Sequence, residues 1–310
     1  MAAVLLGVLA AASAAAVVGM RRWRAAVRRR FEQADTARRP RTAKGVVIGA
    51  EAITLAGANG QAVLVLHGFN DTPQSMAYLC GRLHAAGYTV HAPRLPGHGG
   101  SLREMACEAR AGAWRAHVAE AYAALRREHQ AVYLCGQSMG GALAVLQAAG
   151  AADVPAIALL APFLGMPAAM QRRALLAALS PMPYLRSTGG ERSIHDPVAR
   201  RAALGPGIVT AAALRALRRV ALDAEAALGR LRVPVLYVQS RLDNRVSEAD
   251  GARHFEDIAA QTKKQVWLDG SGHILSADRE KDVVADLVYA WFAQHPGPVP
   301  TAARRAAGGR

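Results

Sequence analysis

The stretch Ala131 to Leu143, AVYLCGQSMGGAL, constrains the fold of this chain more than any other. A β-branched and aromatic run breaks at Gly136-Gln137-Ser138-Met139-Gly140 and resumes as an Ala/Leu-rich segment, which predicts strand, sharp turn and helix. Glycines remove Cβ atoms where a strand and the following helix crowd together, and a strained turn of this kind lifts a serine hydroxyl above the sheet edge. Ser138 is therefore the candidate nucleophile. Gly and Ser are also ordinary turn residues, so the pentapeptide needs partners elsewhere in the chain.

The flanking sequence supplies a sheet for that turn. Apolar runs predict strands at Val46 to Leu55, Ala62 to Leu66, Tyr88 to Ala92, Ala131 to Cys135, Ala156 to Leu160, Val233 to Gln239 and Gln265 to Leu268. Helical patterns lie between them at Ser75 to Ala86, Ala113 to Glu128, after Ser138 and at Glu248 to Ala260, with a closing helix from Asp278 to Phe292. Continuous apolar strands alternating with helices indicate an α/β fold whose mostly parallel sheet is covered on both faces. The alternation stops for residues 164–231, an Ala-, Leu- and Arg-rich stretch without a convincing strand, expected to be a helical insertion.

The formal charge of +15 suggests nucleic acid until its location is considered. Residues 21–45 carry ten Arg/Lys against two acids and residues 296–310 carry three Arg and no acid, whereas residues 46–295 hold 25 basic and 21 acidic side chains. The body is thus nearly balanced, and nucleic acid is not expected as a partner. Met1 to Met20 has no charge and, at about 1.5 Å per residue, is long enough for a bilayer core of about 30 Å. Arg21, Arg22 and Arg24 follow it, with Trp23 suited to an interface. Residues 1–20 are expected to be a hydrophobic membrane-anchor helix, with the remainder on the cytoplasmic side of the inner membrane. The alternatives are a cleaved signal leading to secretion or the periplasm, and an Ala-rich helix packed on the domain. Residues 21–44 are expected to be a basic, partly helical linker, residues 45–295 the catalytic domain, and residues 296–310 a disordered tail. Cys80, Cys107 and Cys135 are few and lack metal-ligand spacing, so buried thiols are expected and neither a disulfide framework nor a metal.

Acyl transfer by serine needs a histidine to take the proton, a carboxylate to fix that histidine's tautomer, and N–H groups aimed at the developing oxyanion. Asp243 follows the strand Val233 to Gln239, and His273 follows Gln265 to Leu268 between small residues. Each alone is an ordinary loop residue. Together, Ser138, Asp243 and His273 sit behind strands whose carboxyl ends converge on one crevice. The oxyanion donors are expected to be the amides of Met139, directly after the nucleophile, and Phe69, in the loop His67-Gly68-Phe69-Asn70. His67 is expected to be structural, because His273 already fills the place of the base.

Leu66-His67-Gly68-Phe69, Leu95-Pro96-Gly97-His98-Gly99, the Gly136 to Gly141 turn, the Asp243 loop and Ser271-Gly272-His273 with Asp278-x-Glu280-Lys281 resemble the α/β-hydrolase superfamily. Within it, the chain is similar to bacterial carboxylesterases and monoacylglycerol lipases over about residues 60–292. The resemblance implies an α/β-hydrolase fold in which 164–231 is a cap, a structural His98, and no metal or organic cofactor. It also implies a serine hydrolase of carboxylic esters, with short- to medium-chain acyl esters or monoacylglycerol-like lipids as substrates. A thioesterase, amidase or carbon–carbon hydrolase with the same triad, and a silent ligand-binding homologue, are the alternatives. An aspartate-nucleophile enzyme is disfavoured because the turn carries serine. Leu164, Met166, Met170, Leu175, Leu176, Leu179, Met182 and Leu185 are candidates either to line an acyl pocket or to pack the cap. No substrate-binding residue and no oligomeric state is assigned.

Overall fold

A computed structural model describes residues 1–297 except 152, 188 and 189, with the backbone alone at positions 2–4, 7, 10, 169 and 191. Most of the expected tail, residues 298–310, lies outside the described residues. The chain begins with helix α1 (Ala2–Arg38) and continues through β1 (Ile53–Leu55), β2 (Gln61–Leu66), α2 (Ala77–Ala85), β3 (Thr89–Ala92), α3 (Leu102–Glu108) and α4 (Ala111–Glu128). Strand β4 (Ala131–Gln137), α5 (Met139–Gly150) and β5 (Ile157–Leu160) complete the first half. The insertion holds α6 (Ala168–Leu179), β6 (Leu185–Arg186), α7 (Pro197–Ala202), β7 (Ile208–Val209) and α8 (Ala211–Glu225). Strand β8 (Val235–Ser240), α9 (Glu248–Asp257), β9 (Lys263–Leu268) and α10 (Lys281–Gln294) close the fold.

Seven strands form one sheet in the order β1-β3-β2-β4-β5-β8-β9, parallel except for β1, which pairs antiparallel with β3. Strand order reverses between β2 and β4, which makes their carboxyl ends the ligand crevice of a doubly wound sheet. Both faces are covered because successive side chains point to opposite sides. Leu64, Leu66, Val132 and Leu134 enter a core with α4, α5 and α8, while Val63, Val65, Tyr133 and Cys135 enter another with α2 and α10. Each fully buried Leu or Val here contributes about 1.5–3 kcal/mol, which is why these strands read as unbroken apolar runs.

The insertion departs from the sequence reading in one detail: β6 and β7 form a two-residue antiparallel pair. Two residues carry no recognisable period, so nothing in the sequence marks them.

The N-terminal segment requires a larger correction. The helix does not end at Met20 but runs on through the arginines to Arg38, and among the described residues no helix is long and apolar enough to cross a membrane. Nor is 21–44 a free linker. Phe31 stacks on Tyr184 with ring centroids 5.8 Å apart, and the Tyr184 hydroxyl donates to Glu32 at 2.8 Å. Arg39 forks onto the buried Asp35 carboxylate at 2.9 and 2.8 Å, and its Nη1 reaches the Leu204 carbonyl at 3.0 Å. Arg41 joins the same carboxylate, and Arg38 donates to the Pro206 carbonyl. Bidentate, desolvated Arg–carboxylate pairs are specific in geometry as well as attractive. The packed unit therefore extends back to Phe31, and the last two turns of α1 strap the cap. The expected hydrophobic anchor is the apolar first half of a longer helix whose second half is basic.

Candidate active site

Ser138 occupies a backbone conformation with φ 56° and ψ −117°, between β4 and α5. Such a conformation is costly for a residue with a Cβ and persists only where the surroundings impose it. Those surroundings are the neighbouring strand and the helix. The Ser138 amide donates to the Leu160 carbonyl at 2.9 Å, and the Ser138 carbonyl accepts from the amides of Phe163 at 3.0 Å and Ala142 at 3.2 Å. A Cβ on Gly136 would fall 2.2 Å from the Gly140 carbonyl oxygen, and one on Gly140 would fall 2.1 Å from that of Leu66. The glycines of the pentapeptide are thus required by close approach of backbone to backbone.

His273 Nε2 lies 2.8 Å from Ser138 Oγ, and its Nδ1 lies 2.8 Å from Asp243 Oδ2. A carboxylate can only accept, so Nδ1 carries the proton and Nε2 is left to accept from the serine. The Asp243 side chain is fully buried. Burial alone would raise its carboxyl, but the His273 ring and the amides of Arg245 and Val246 outweigh it and hold the group below the usual carboxylate range. Those amides donate to Oδ1 at 2.7 and 3.1 Å. Strand register accounts for the convergence: Ser240 pairs with Leu268, so the Asp loop and the His loop leave adjacent strands side by side.

The expected oxyanion donors occupy the same end of the sheet. Leu66 pairs with Gly136, which places the His67-Gly68-Phe69 loop beside the serine turn. A Cβ on Gly68 would lie 3.8 Å from Ser138 Oγ. Met139 is the first residue of α5, where an amide has no partner within the helix. His67 is structural in its contacts: Nε2 accepts from the Leu95 amide at 3.2 Å and Nδ1 donates to the Gly68 carbonyl at 2.8 Å. Burial, reinforced by His98, pushes its pKa far below the ordinary histidine value. His98 is likewise held neutral by burial, at about 4, and packs edge-on against Phe69.

Four polar side chains to which the sequence alone assigns no role hold this arrangement. Gln137, buried at the end of β4, donates to the carbonyls of Leu160 at 3.1 Å and His273 at 2.8 Å and accepts from the Ser276 amide at 3.4 Å. Gln239 donates to Asp243 Oδ2 at 2.8 Å. Asp278 accepts from the amides of Gly272, His195, Asp196 and Arg279 at 2.7 to 2.9 Å, joining the His loop to the cap. Gln137→Leu keeps the volume but strands two carbonyls and an N–H, so we expect a loss of about 2–4 kcal/mol in stability. The freed His273 loop should lower kcat by about 10- to 100-fold with KM little changed. Thermal unfolding and steady-state kinetics on one preparation check both effects.

Asp71, beside the oxyanion loop, is the fourth. It accepts from Ser75 Oγ at 2.7 Å and from the Thr72 amide at 2.8 Å, and burial nevertheless pushes its pKa up to about 6. The folded chain therefore holds this proton more tightly than the unfolded chain does, and stability falls as pH rises from the ordinary Asp range through about 6. Asp71→Asn should be more stable than the parent at about pH 8, by about 1–2 kcal/mol after discounting for partial exposure. That gain should vanish below the ordinary Asp range, as unfolding curves across pH would reveal.

The cap candidates divide. Leu164 and Met166 are buried and line a small pocket between the cap and the Asp loop. Met170 packs against the main core, and Met182 and Leu185 are half-buried. Leu175, Leu176 and Leu179 face outward with 60–75% of their surface exposed, so they line no pocket. Among the thiols, Cys80 and Cys135 are buried as expected, whereas Cys107 is exposed.

Comparison with known proteins bears on this site. A profile described as serine aminopeptidase, S33, matches residues 57–280. A thermostable monoacylglycerol lipase from Bacillus sp. (strain H-257) is 30% identical over 236 residues, covering 76% of this chain and 91% of that protein. A carboxylesterase from Bacillus subtilis (strain 168) is 25% identical over 231 residues, covering 74% and 91%. A structure reported with the metagenome-derived lipolytic enzymes LipS and LipT superposes with a TM-score of 0.74 at 30% identity, over 81% of this chain and all of that one.

Proposed function

The chain belongs to the serine aminopeptidase S33 family of α/β-hydrolases, and from that premise we propose that it hydrolyses carboxylic esters, with short- to medium-chain acyl esters or monoacylglycerol-like lipids as substrates. The observation that carries the reading is the unbroken line Ser138 Oγ, His273, Asp243, with 2.8 Å at each step. Ser138 Oγ attacks the ester carbonyl while His273 Nε2 takes its proton. The tetrahedral oxyanion rests on the Phe69 and Met139 amides. His273 then gives the proton to the departing alcohol, which leaves an acyl-serine. A water, deprotonated by the same nitrogen, attacks the acyl carbon and releases the carboxylic acid. Asp243 holds the imidazole in the required tautomer throughout and balances its positive charge.

The substrate class is supported by the named relatives, a monoacylglycerol lipase and a carboxylesterase. A panel of p-nitrophenyl esters of increasing acyl length, with monoacylglycerols, acyl-CoA thioesters and aminoacyl amides beside it, tests the reading. Saturable turnover of the oxygen esters is expected. Turnover confined to thioesters or amides would replace it with one of those reactions.

For the N-terminal end we propose association with an anionic lipid surface on the cytoplasmic side. The exposed Leu5, Leu6, Val8, Leu9, Val17, Val18 and Met20, followed by Trp23 and the arginines, support it. Deleting residues 1–20 should shift the protein from the membrane fraction to the soluble one, and an unchanged distribution would end the proposal.

A further inference from the structure

The tip of the oxyanion loop, Phe69-Asn70, is held by packing. Among the described residues no main-chain group of Phe69 or Asn70 hydrogen-bonds to the protein, and Asn70 Oδ1 is buried without a partner. Asn70 has φ 60°, in the left-handed region that side chains other than glycine adopt rarely and asparagine most readily. A backbone in that region stays there only where its surroundings impose it. One part of those surroundings is the Phe69 ring, which stands edge-on to His98 and Trp114 with centroids 5.9 and 6.1 Å apart. The other is Gly205 of the cap, where a Cβ would fall 2.4 Å from the Asn70 carbonyl oxygen.

Gly205 is itself set by the end of α1. The carbonyls on either side of it, those of Leu204 and Pro206, accept from Arg39 at 3.0 Å and from Arg38. Arg39 cannot swing away, because its guanidinium forks onto the buried Asp35 carboxylate at 2.9 and 2.8 Å. The Leu204 side chain adds an apolar contact, with Cδ1 3.2 Å from where a Cβ on Gly49 would stand. A segment pinned on both sides and lying against a carbonyl acts as a stop for that carbonyl. Between the Asn70 carbonyl and the Phe69 amide lies one rigid peptide plane, so movement of the first is passed to the second. An oxyanion donor works only when aimed at the place where charge develops.

We propose that Arg39 and Gly205 are positioning residues for the oxyanion hole: Arg39, fixed by Asp35, holds the 204–206 segment against Asn70 and so keeps the Phe69 amide aimed at the substrate's developing oxyanion. The proposal rests on the ester-hydrolase reading and gives the N-terminal helix a part in it, at a distance from the reacting atoms. Its mark is a loss in kcat with little change in KM, because the ground-state ester makes less use of the hole than the tetrahedral intermediate does.

An alkyl trifluoromethyl ketone reports on the hole directly. Ser138 Oγ adds to its carbonyl carbon, the hydroxyl proton passes to His273, and the ketone oxygen becomes an oxyanion facing the Phe69 and Met139 amides. The matching methyl ketone occupies the site without that addition. Gly205→Ala should lower kcat and weaken inhibition by the trifluoromethyl ketone, each by about 10- to 100-fold, with KM and methyl ketone inhibition within about two-fold of the parent. Arg39→Gln should act in the same direction, and Arg39→Lys should restore part of the loss. Tyr184→Phe removes the bond from the cap to Glu32, another tie between α1 and the body. It should lower the unfolding temperature and leave inhibition by the trifluoromethyl ketone at the parent value. End-point titration with a fluorophosphonate refers every rate to folded enzyme. Unchanged trifluoromethyl ketone inhibition in either Gly205→Ala or Arg39→Gln overturns the proposal, as does a loss in Tyr184→Phe equal to theirs, and both results leave ester hydrolysis by the parent intact. A parent protein that cleaves no ester overturns the ester reading and this proposal with it.

Discussion

Ser138→Ala is expected to reduce ester hydrolysis by about 10⁵- to 10⁶-fold, to the level that binding and oxyanion stabilisation sustain without a nucleophile. Covalent labelling by a fluorophosphonate probe should disappear with it. The magnitude follows from how completely the site depends on one oxygen. His273 Nε2 has Ser138 Oγ as its partner at 2.8 Å, and the pathway through an acyl-serine has no second hydroxyl to fall back on. Folding should be untouched or slightly improved. The residue is held at a positive φ of 56° by glycines and strand pairing that alanine leaves in place, and alanine removes a polar group from a buried position. Equal thermal unfolding of variant and parent, beside total loss of labelling, assigns the nucleophile. Labelling of the variant at the parent's rate would remove Ser138 from that role.

How much of this was legible in the sequence depended on whether a residue's role was written in its neighbours. Ser138, Asp243 and His273 each stand just beyond an apolar run, and the carboxyl ends of parallel strands converge whatever the details of packing. Their meeting could therefore be anticipated from order alone. Gln137 and Gln239 carry a weaker signal: each is a polar residue within an otherwise apolar, fully buried strand, a place where an amide must find partners. Asp278 was visible only through the family resemblance, because the distant amides it holds, those of His195 and Asp196 in the cap, leave no mark on the sequence around their acceptor. The packing of helix α1 is masked in the sequence for an electrostatic reason. Ten basic residues in 21–45 suggest a linker, yet the two acids among them, Glu32 and Asp35, are the groups that tie the helix to Tyr184, Arg39 and Arg41. In a basic segment the rare carboxylates are the informative residues.

The strap also bears on the cap. Arg38 and Arg39 hold the carbonyls of Pro206 and Leu204, and Asp278 holds the amides of His195 and Asp196. The cap is thus fixed to the body on two sides, by α1 and by the His loop. Residues of the cap and residues that orient His273 therefore share supports, and loosening one disturbs the other.

Asp243→Asn has the second-largest expected effect, about 10⁴-fold in kcat, for a reason particular to the hydrogen bonds around this side chain. Oδ1 accepts from two backbone amides, those of Arg245 and Val246. Oδ2 accepts from His273 Nδ1 and from Gln239 Nε2. An asparagine must place its NH₂ at one of these positions, where every existing neighbour is a donor. The two main-chain amides are fixed by the turn, so the carbonyl of the new side chain stays with them and the NH₂ turns towards His273. Facing a donor, Nδ1 becomes an acceptor and the imidazole proton moves to Nε2. That nitrogen then points an N–H at Ser138 Oγ and can no longer take its proton. Gln239 adapts by rotating its amide, because its Oε1 is buried and has no other hydrogen-bond partner among the described residues. Stability should consequently fall by only about 1 kcal/mol, while binding of a neutral ester, read as KM, should change little. A Gln239→Leu partner variant separates the two donors: it removes one hydrogen bond from Asp243 without touching the tautomer, and should cost about ten-fold or less. If Asp243→Asn lost no more activity than Gln239→Leu, the carboxylate would be a structural anchor and the tautomer of His273 would be set elsewhere.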